Sequence, residues 1–159
     1  GGVLVSDRVA DTIIEEGGEF AHGFTYSGHP AACAVALKNI ELIKKENILD
    51  SVKHSIAPYL RDKWMSLGDH PIVGEARIKG LMGAIELTND KVKRSRFPSD
   101  FNTGSLCRDI SIKNGLVMRA VGDSMIIAPP LVINHEQIDE LLDKARTTLD
   151  ETQEAVQKL

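Results

Sequence analysis

The sequence predicts an α/β segment followed by an α+β layer, and three observations carry that prediction. Residues 1–45 read strand–helix–loop–helix. Residues 72–159 read strand–strand–helix–strand–strand–helix, and one interrupted helical stretch over 47–71 links the two. A lone strand with helices closes no core, so the first piece needs a partner, whereas the second has a sheet and two helices of its own. The chain opens GGVLVSDRVADTI, without Met and already inside an apolar run, so the expectation is a piece of a longer polypeptide.

Each element has its local reason. Val3, Leu4 and Val5 follow Gly-Gly as a short apolar run, the pattern of a buried strand. Ser6 or Asp7 suits a helix cap, with Val9, Ile13 and Ile14 on one face and Gly17-Gly18 as the stop. Pro30 fits a first helical turn, where its missing N–H has no partner anyway. The helix it opens runs to about Glu46 and is rich in alanine, which implies close approach to another element or a ligand. Ile48, Val52, Ile56, Leu60 and Trp64 recur every four residues, and Pro58 predicts a kink or restart among them.

The stretch IVGEARIKGLMGAIEL predicts two strands or one bent strand. Residues 89–102 read as loop and 103–114 as a short helix, with Leu106, Ile110 and Cys107 facing inward and Asn114-Gly115 closing it. In LVMRAVGDSMIIAPPLVI, Gly122-Asp123 between two apolar runs predicts a hairpin with a type II′ turn, and Pro129-Pro130 ends the pairing. Asn134 with Gln137 three residues on predicts a capping box for the last helix. Ile138, Leu141, Leu142, Ala145, Leu149 and Val156 form its apolar stripe.

Composition bounds the function. Apolar residues at 42 % and charged residues at 26 % place the chain in the globular range, and only 4 % aromatics leave the core to Ile, Leu, Val and Ala. The net charge of −4, with scattered basic residues, argues against a nucleic-acid surface. No apolar run approaches a membrane span. Cys33 and Cys107 both lie in apolar helical patterns, so reduced, buried thiols in a cytosolic protein are expected.

The loop HGFTYSGHP draws attention by its donors. Thr25 and Ser27 offer hydroxyls, Gly28 admits close backbone approach, and the next helix aims its N-terminus at them. Such a terminus favours an anion. A plain Ser cap beside a packed Tyr26 reads the same residues as well. Arg119 alternates with Val117 and Val121 on one strand face, where it either snorkels to a sheet edge or answers a carboxylate. Arg77, in GEARIKG, poses the same question with a weaker case. His22 and His29 lack the further ligands of a metal set, and no metal is expected.

Taken together, HGFTYSGHPAACAVAL, VGEARIKGLMGAIEL and MRAVGDSMIIAPPLVI resemble the class III aminotransferases, pyridoxal 5'-phosphate (PLP) enzymes of fold type I. The resemblance follows the whole chain in order and is nearest to the ω-amine, putrescine–pyruvate and β-alanine–pyruvate branch. It implies that residues 1–46 end the PLP-binding large domain, 47–71 are a linking helix, and 72–159 are the C-terminal small domain. It implies that Thr25 reaches the PLP phosphate of the other subunit of a homodimer, that Phe24 borders the same site, and that Arg119 binds the carboxylate of an amino or keto acid. The active site would then be shared across the interface. It also implies that the Schiff-base lysine lies upstream of residue 1, so these residues hold no catalytic group and are expected to be inactive alone. The expected reaction moves an amino group from an ω-amine or ω-amino acid to pyruvate or a similar keto acid. The expected location is the cytoplasm, without nucleic-acid or membrane partners. Two other readings stay open: a relative with other PLP chemistry, such as a decarboxylase or mutase, and a non-enzymatic binding or regulatory module made as a short form.

Overall fold

A computed structural model describes residues 2–158. The chain divides into two compact units, Gly1–Glu41 and Leu42–Leu159.

Helix α1 spans Asp7–Glu16 in the first unit, and helix α2 spans Pro30–Lys45, running on past the boundary at Glu41. The strand predicted at residues 3–5 is not formed. Val3, Leu4 and Val5 have no regular structure and are 91 %, 97 % and 55 % exposed. A strand is held by backbone hydrogen bonds to a neighbour, and no other strand forms among the described residues of this unit. Neither helix buries a residue, so the alanine-rich side of α2 is open and Cys33 is exposed rather than buried. Phe20, Phe24, Tyr26, Val35 and Leu37 all stand in solvent.

The second unit has its own core. It begins with α3 (Ile48–Ser51), a π-helical turn over Val52–Ile56, and α4 (Ala57–Met65). The predicted interruption therefore falls just before Pro58. That proline has no N–H for the carbonyl of His54, and the wider turn absorbs the mismatch. Strand β1 (Val73–Lys79) turns back through Gly80, at φ +58°, into β2 (Met82–Leu87), so two strands form rather than one bent one. Helix α5 (Thr103–Lys113) leads to the hairpin of β3 (Arg119–Val121) and β4 (Ser124–Ile127). Gly122 has φ +55° and Asp123 is not left-handed, which agrees with the type II′ expectation. The order β1-β2-β4-β3 is antiparallel throughout.

Helix α6 (His135–Val156) starts with the predicted capping box. The Gln137 N–H donates to Asn134 Oδ1 at 2.8 Å, and the Asn134 N–H donates to Gln137 Oε1 at 3.1 Å. Four polar pairs tie α6 to the segment around α4, each 80 residues apart: Ser55–His135, Tyr59–Asp139, Ser66–Arg146 and His70–Asp150. A constant offset requires the two helices to run parallel and in step. Their apolar sides, with Leu60, Trp64, Leu67, Ile138, Leu142 and Leu149, cover one face of the sheet.

Strand alternation divides the sheet cleanly. Ala76, Ile85, Leu87, Met125 and Ile127 point into this core. Gly83 is glycine because a Cβ there would stand 3.0 Å from the Trp64 ring. The opposite face carries Glu75, Arg77, Ala84, Glu86, Ser124, Ile126, Arg119 and Val121 and is open.

Candidate functional site

The first candidate region is the turn before α2. The Phe24 N–H donates to Ser27 Oγ at 3.1 Å, and the Ser27 N–H returns to the Phe24 carbonyl at 2.9 Å. This reciprocal pair closes a four-residue ring and pushes Thr25 and Tyr26 outward. Ser27 thus shapes the loop, and Tyr26 is 81 % exposed rather than packed. Gly28, at φ +71°, lets the chain turn into α2, whose ladder begins with the Cys33 N–H on the His29 carbonyl. Among the described residues, neither the hydroxyl nor the N–H of Thr25 has a hydrogen-bond partner. Uncommitted donors on a braced turn at the mouth of a 16-residue helix are what an anion requires. Phe20, His22 and Phe24 stack edge to face, with ring centroids 5.9 and 6.0 Å apart. Tyr26, His29, Ala31, Ala32, Val35 and Asn39 line an open depression beside the turn.

The second region is the open face of the sheet. Arg77 and Arg119 stand in one row across the four strands, with Ala84 and Ile126 between them. Their surroundings differ. Arg77 donates from Nη1 and Nη2 to Glu86 Oε2 at 3.3 and 3.2 Å, and from Nη1 to Glu75 at 3.5 Å. Ser124 Oγ donates to the same Glu86 oxygen at 2.6 Å. Arg119 is exposed and makes no ion pair among the described residues. The free guanidinium of this face is therefore Arg119, and Arg77 is a structural cation that separates two carboxylates facing each other across β1 and β2. The sequence already made Arg77 the weaker candidate; the structure adds the physical difference, since Arg77 is bound by two carboxylates and Arg119 by none among the described residues. Phe24 and Thr25 belong to one unit and Arg119 to the other.

Several of the lysines are engaged in ion pairs. Lys38 pairs with Glu41 at 2.8 Å, and Lys63 pairs with Asp139 at 2.7 Å. Burial pushes the Cys107 thiol up to about 11, a shift opposed by its hydrogen bond with Thr152. Among the described residues no group of three or more His, Cys, Asp or Glu could hold a metal ion, and no helix is long and apolar enough to cross a membrane.

Comparison with known proteins decides the family. The sequence model of Aminotransferase class-III matches residues 1–149. The chain belongs to the class III aminotransferases. It is 54 % identical over 156 residues to the putrescine–pyruvate aminotransferase of Pseudomonas aeruginosa, covering 98 % of this chain and 34 % of that enzyme. It is 40 % identical over 162 residues to gamma aminobutyrate transaminase 1, mitochondrial, of Solanum lycopersicum, covering 100 % of this chain and 31 % of that enzyme. A thermostable (S)-enantioselective omega-transaminase from Thermomicrobium roseum superposes with a TM-score of 0.81 at 36 % identity, over 93 % of this chain and 33 % of that one. The chain thus spans about a third of the length of the curated relatives it matches. Its helices and small antiparallel sheet are those of a fold type I aminotransferase. Class III aminotransferases are PLP-dependent. The turn at Thr25 fits the phosphate end of that group, since its donors are uncommitted, exposed and followed by a helix N-terminus.

Proposed function

We propose that this chain is the C-terminal part of a homodimeric, cytoplasmic PLP-dependent aminotransferase that moves an amino group from an ω-amine or ω-amino acid to pyruvate or a similar keto acid. The observation that carries this reading is the contrast on the open sheet face: Arg77 is engaged by Glu86 and Glu75, while Arg119 is free to take a carboxylate in two parallel hydrogen bonds. Residues 1–46 would end the PLP-binding domain, 47–71 link, and 72–159 form the small domain. The names of the bacterial and plant relatives supply the amine, ω-amino acid and pyruvate chemistry. Two free cysteines suit a reducing compartment.

PLP, when bound, supplies an electron sink for labilising a bond at the amine-bearing carbon. The residues here bind and orient. Thr25 donates its hydroxyl to a phosphate oxygen of the neighbouring subunit's cofactor. Phe24 gives that phosphate an apolar border that excludes water. Arg119 orients the substrate through its carboxylate and leaves the reacting end toward the cofactor. The exposed side of α2 and the aromatic loop become the subunit interface, which explains why they stand bare in a single chain. No lysine of these 159 residues takes the cofactor-binding role, so the segment alone is inactive.

The test is Arg119→Ala in the complete enzyme. A charge-assisted pair is worth about 1.5–3 kcal/mol, so KM for pyruvate should rise roughly 10- to 100-fold. Arg77→Ala should lower stability and leave that KM within about twofold. An unchanged KM in the Arg119 variant refutes the assignment.

A further inference from the structure

The loop after β2 concentrates positive charge in a chain whose net charge is −4. Its run NDKVKRSRF carries Lys91, Lys93, Arg94 and Arg96 against the single carboxylate of Asp90. The loop is held closely. Asp90 Oδ1 takes the Val92 and Lys93 N–H groups at 2.9 and 3.0 Å. The Asn89 N–H donates to the Ser95 carbonyl at 3.0 Å, and the Ser95 N–H donates to the Asp90 carbonyl at 3.1 Å. The buried Thr88 hydroxyl donates to the same Ser95 carbonyl at 2.7 Å. Inside this brace Arg94 stands at φ +52°, a left-handed conformation that glycine adopts freely and an arginine only under strain.

A cavity of about 580 Å³ opens beside the loop, and its lining includes Lys91, Arg94 and Arg96 together with Glu75 and Glu86 of the sheet. The two carboxylates are already answered, Glu86 by Arg77 and Ser124 and Glu75 by Arg77. Lys93 pairs with Asp90 at 3.6 Å, and the Lys91 Nζ donates to the Gly68 carbonyl at 2.7 Å, which fixes that ammonium in place. Arg94 and Arg96 are exposed, and neither guanidinium has an ion pair or hydrogen bond among the described residues. Two uncommitted forks and one fixed ammonium therefore border a single cavity.

We propose that this cavity binds a phosphomonoester through Lys91, Arg94 and Arg96. One guanidinium fork satisfies a planar carboxylate, whereas a phosphate directs its oxygens several ways and can be shared by two forks and an ammonium. The cavity is far larger than one phosphate group, which leaves room for the organic part of the ester. A loop already braced loses little freedom on binding. The site involves neither the Thr25 turn nor Arg119 and goes beyond the proposed function.

The test titrates the 159-residue chain with inorganic phosphate and, in parallel, with glycerol 3-phosphate, at constant ionic strength. The readout is the backbone amide shifts of residues 91–96. Arg94→Gly is the cleanest variant, because glycine keeps the left-handed backbone without strain while the guanidinium is removed. Arg96→Gln removes the second fork. An exposed charge pair is worth a factor of about two to five, so the R94G/R96Q double variant should bind both probes roughly tenfold more weakly. Thr25→Ala should leave the response of residues 91–96 unchanged. Acetate at matched charge should act several-fold more weakly than phosphate. Silent amides at residues 91–96, a double variant that titrates like the parent, a response lost in Thr25→Ala, or an equal response to acetate each overturn the site. Glycerol 3-phosphate that binds more weakly than inorganic phosphate overturns the choice of an ester.

Discussion

The start of helix α5 makes a sharp test of how the hairpin and helix hold each other. Asn102, at φ 46° and ψ 46°, gives the helix no side-chain cap. The acceptor comes from elsewhere: Asp123 Oδ1, in the β3–β4 turn, takes the Gly104 N–H at 3.2 Å. Asp123→Ala should therefore behave as the loss of a helix cap. Such losses run at about 0.5–2 kcal/mol, and a charged acceptor at a helix N-terminus belongs in the upper half, near 1.5 kcal/mol. Asp123→Asn keeps an acceptor and loses only the charge, about 0.5 kcal/mol. The assay is urea unfolding followed by the fluorescence of Trp64, the chain's one tryptophan, buried in the same core. With a slope of about 1.5 kcal/mol per molar, the Ala variant should unfold about 1 M earlier and the Asn variant about 0.3 M earlier. Hydrogen exchange at the Gly104 amide should quicken while mid-α6 amides hold. A midpoint shift below about 0.2 M for Asp123→Ala, with Gly104 still protected, would refute the capping argument. Gly104→Ala is the harsher companion: its Cβ would overlap the Gly122 carbonyl oxygen, so the hairpin must leave the helix.

Other consequences are as direct. In the 159-residue chain at pH 8, Cys33 should react at once with a thiol reagent and Cys107 only on unfolding, because the first is exposed and burial raises the second to about 11. Two fast thiols would contradict the core. The Asp139 carboxyl is held below its ordinary value by its hydrogen bond to Lys63 and then by Tyr59. A depressed folded pKa adds stability above the unfolded value of about 3.9, lost as pH falls through the folded one. Asp139→Asn should remove that part of the acid decline; an unaltered slope would show the contact to be inert. Sharing of the site between subunits is testable by mixing Thr25→Ala and Arg119→Ala subunits of the complete enzyme. If Thr25 serves the other subunit, the mixed dimer regains one intact site and roughly half of wild-type activity per dimer; if it serves its own, nothing is regained.

Much of the second unit was legible because its signals are local. The capping box at Asn134, the turn at Gly122-Asp123, the stripe from Ile138 to Val156 and the break near Pro58 each depend on a few neighbouring residues. Motif order pointed to the family for a similar reason, since each motif, HGFTYSGHP among them, is a short run of neighbouring residues. The first unit resisted. Residues 3–5 and the α2 face have a buried pattern, yet burial is a relation between segments, and no strand among the described residues of this unit pairs with the first of them.

What the sequence by itself determined was the succession of elements, their caps and turns, and the two arginines and one threonine worth watching. Only the tertiary structure decided that Ser27 braces the loop, that Asp123 caps a helix 19 residues earlier, and that Arg77 is bound while Arg119 is free. Those choices hang on the strand register and on how the turn before α2 closes. Hydrogen bonds of that kind join groups that chain spacing does not bring together until the backbone has folded.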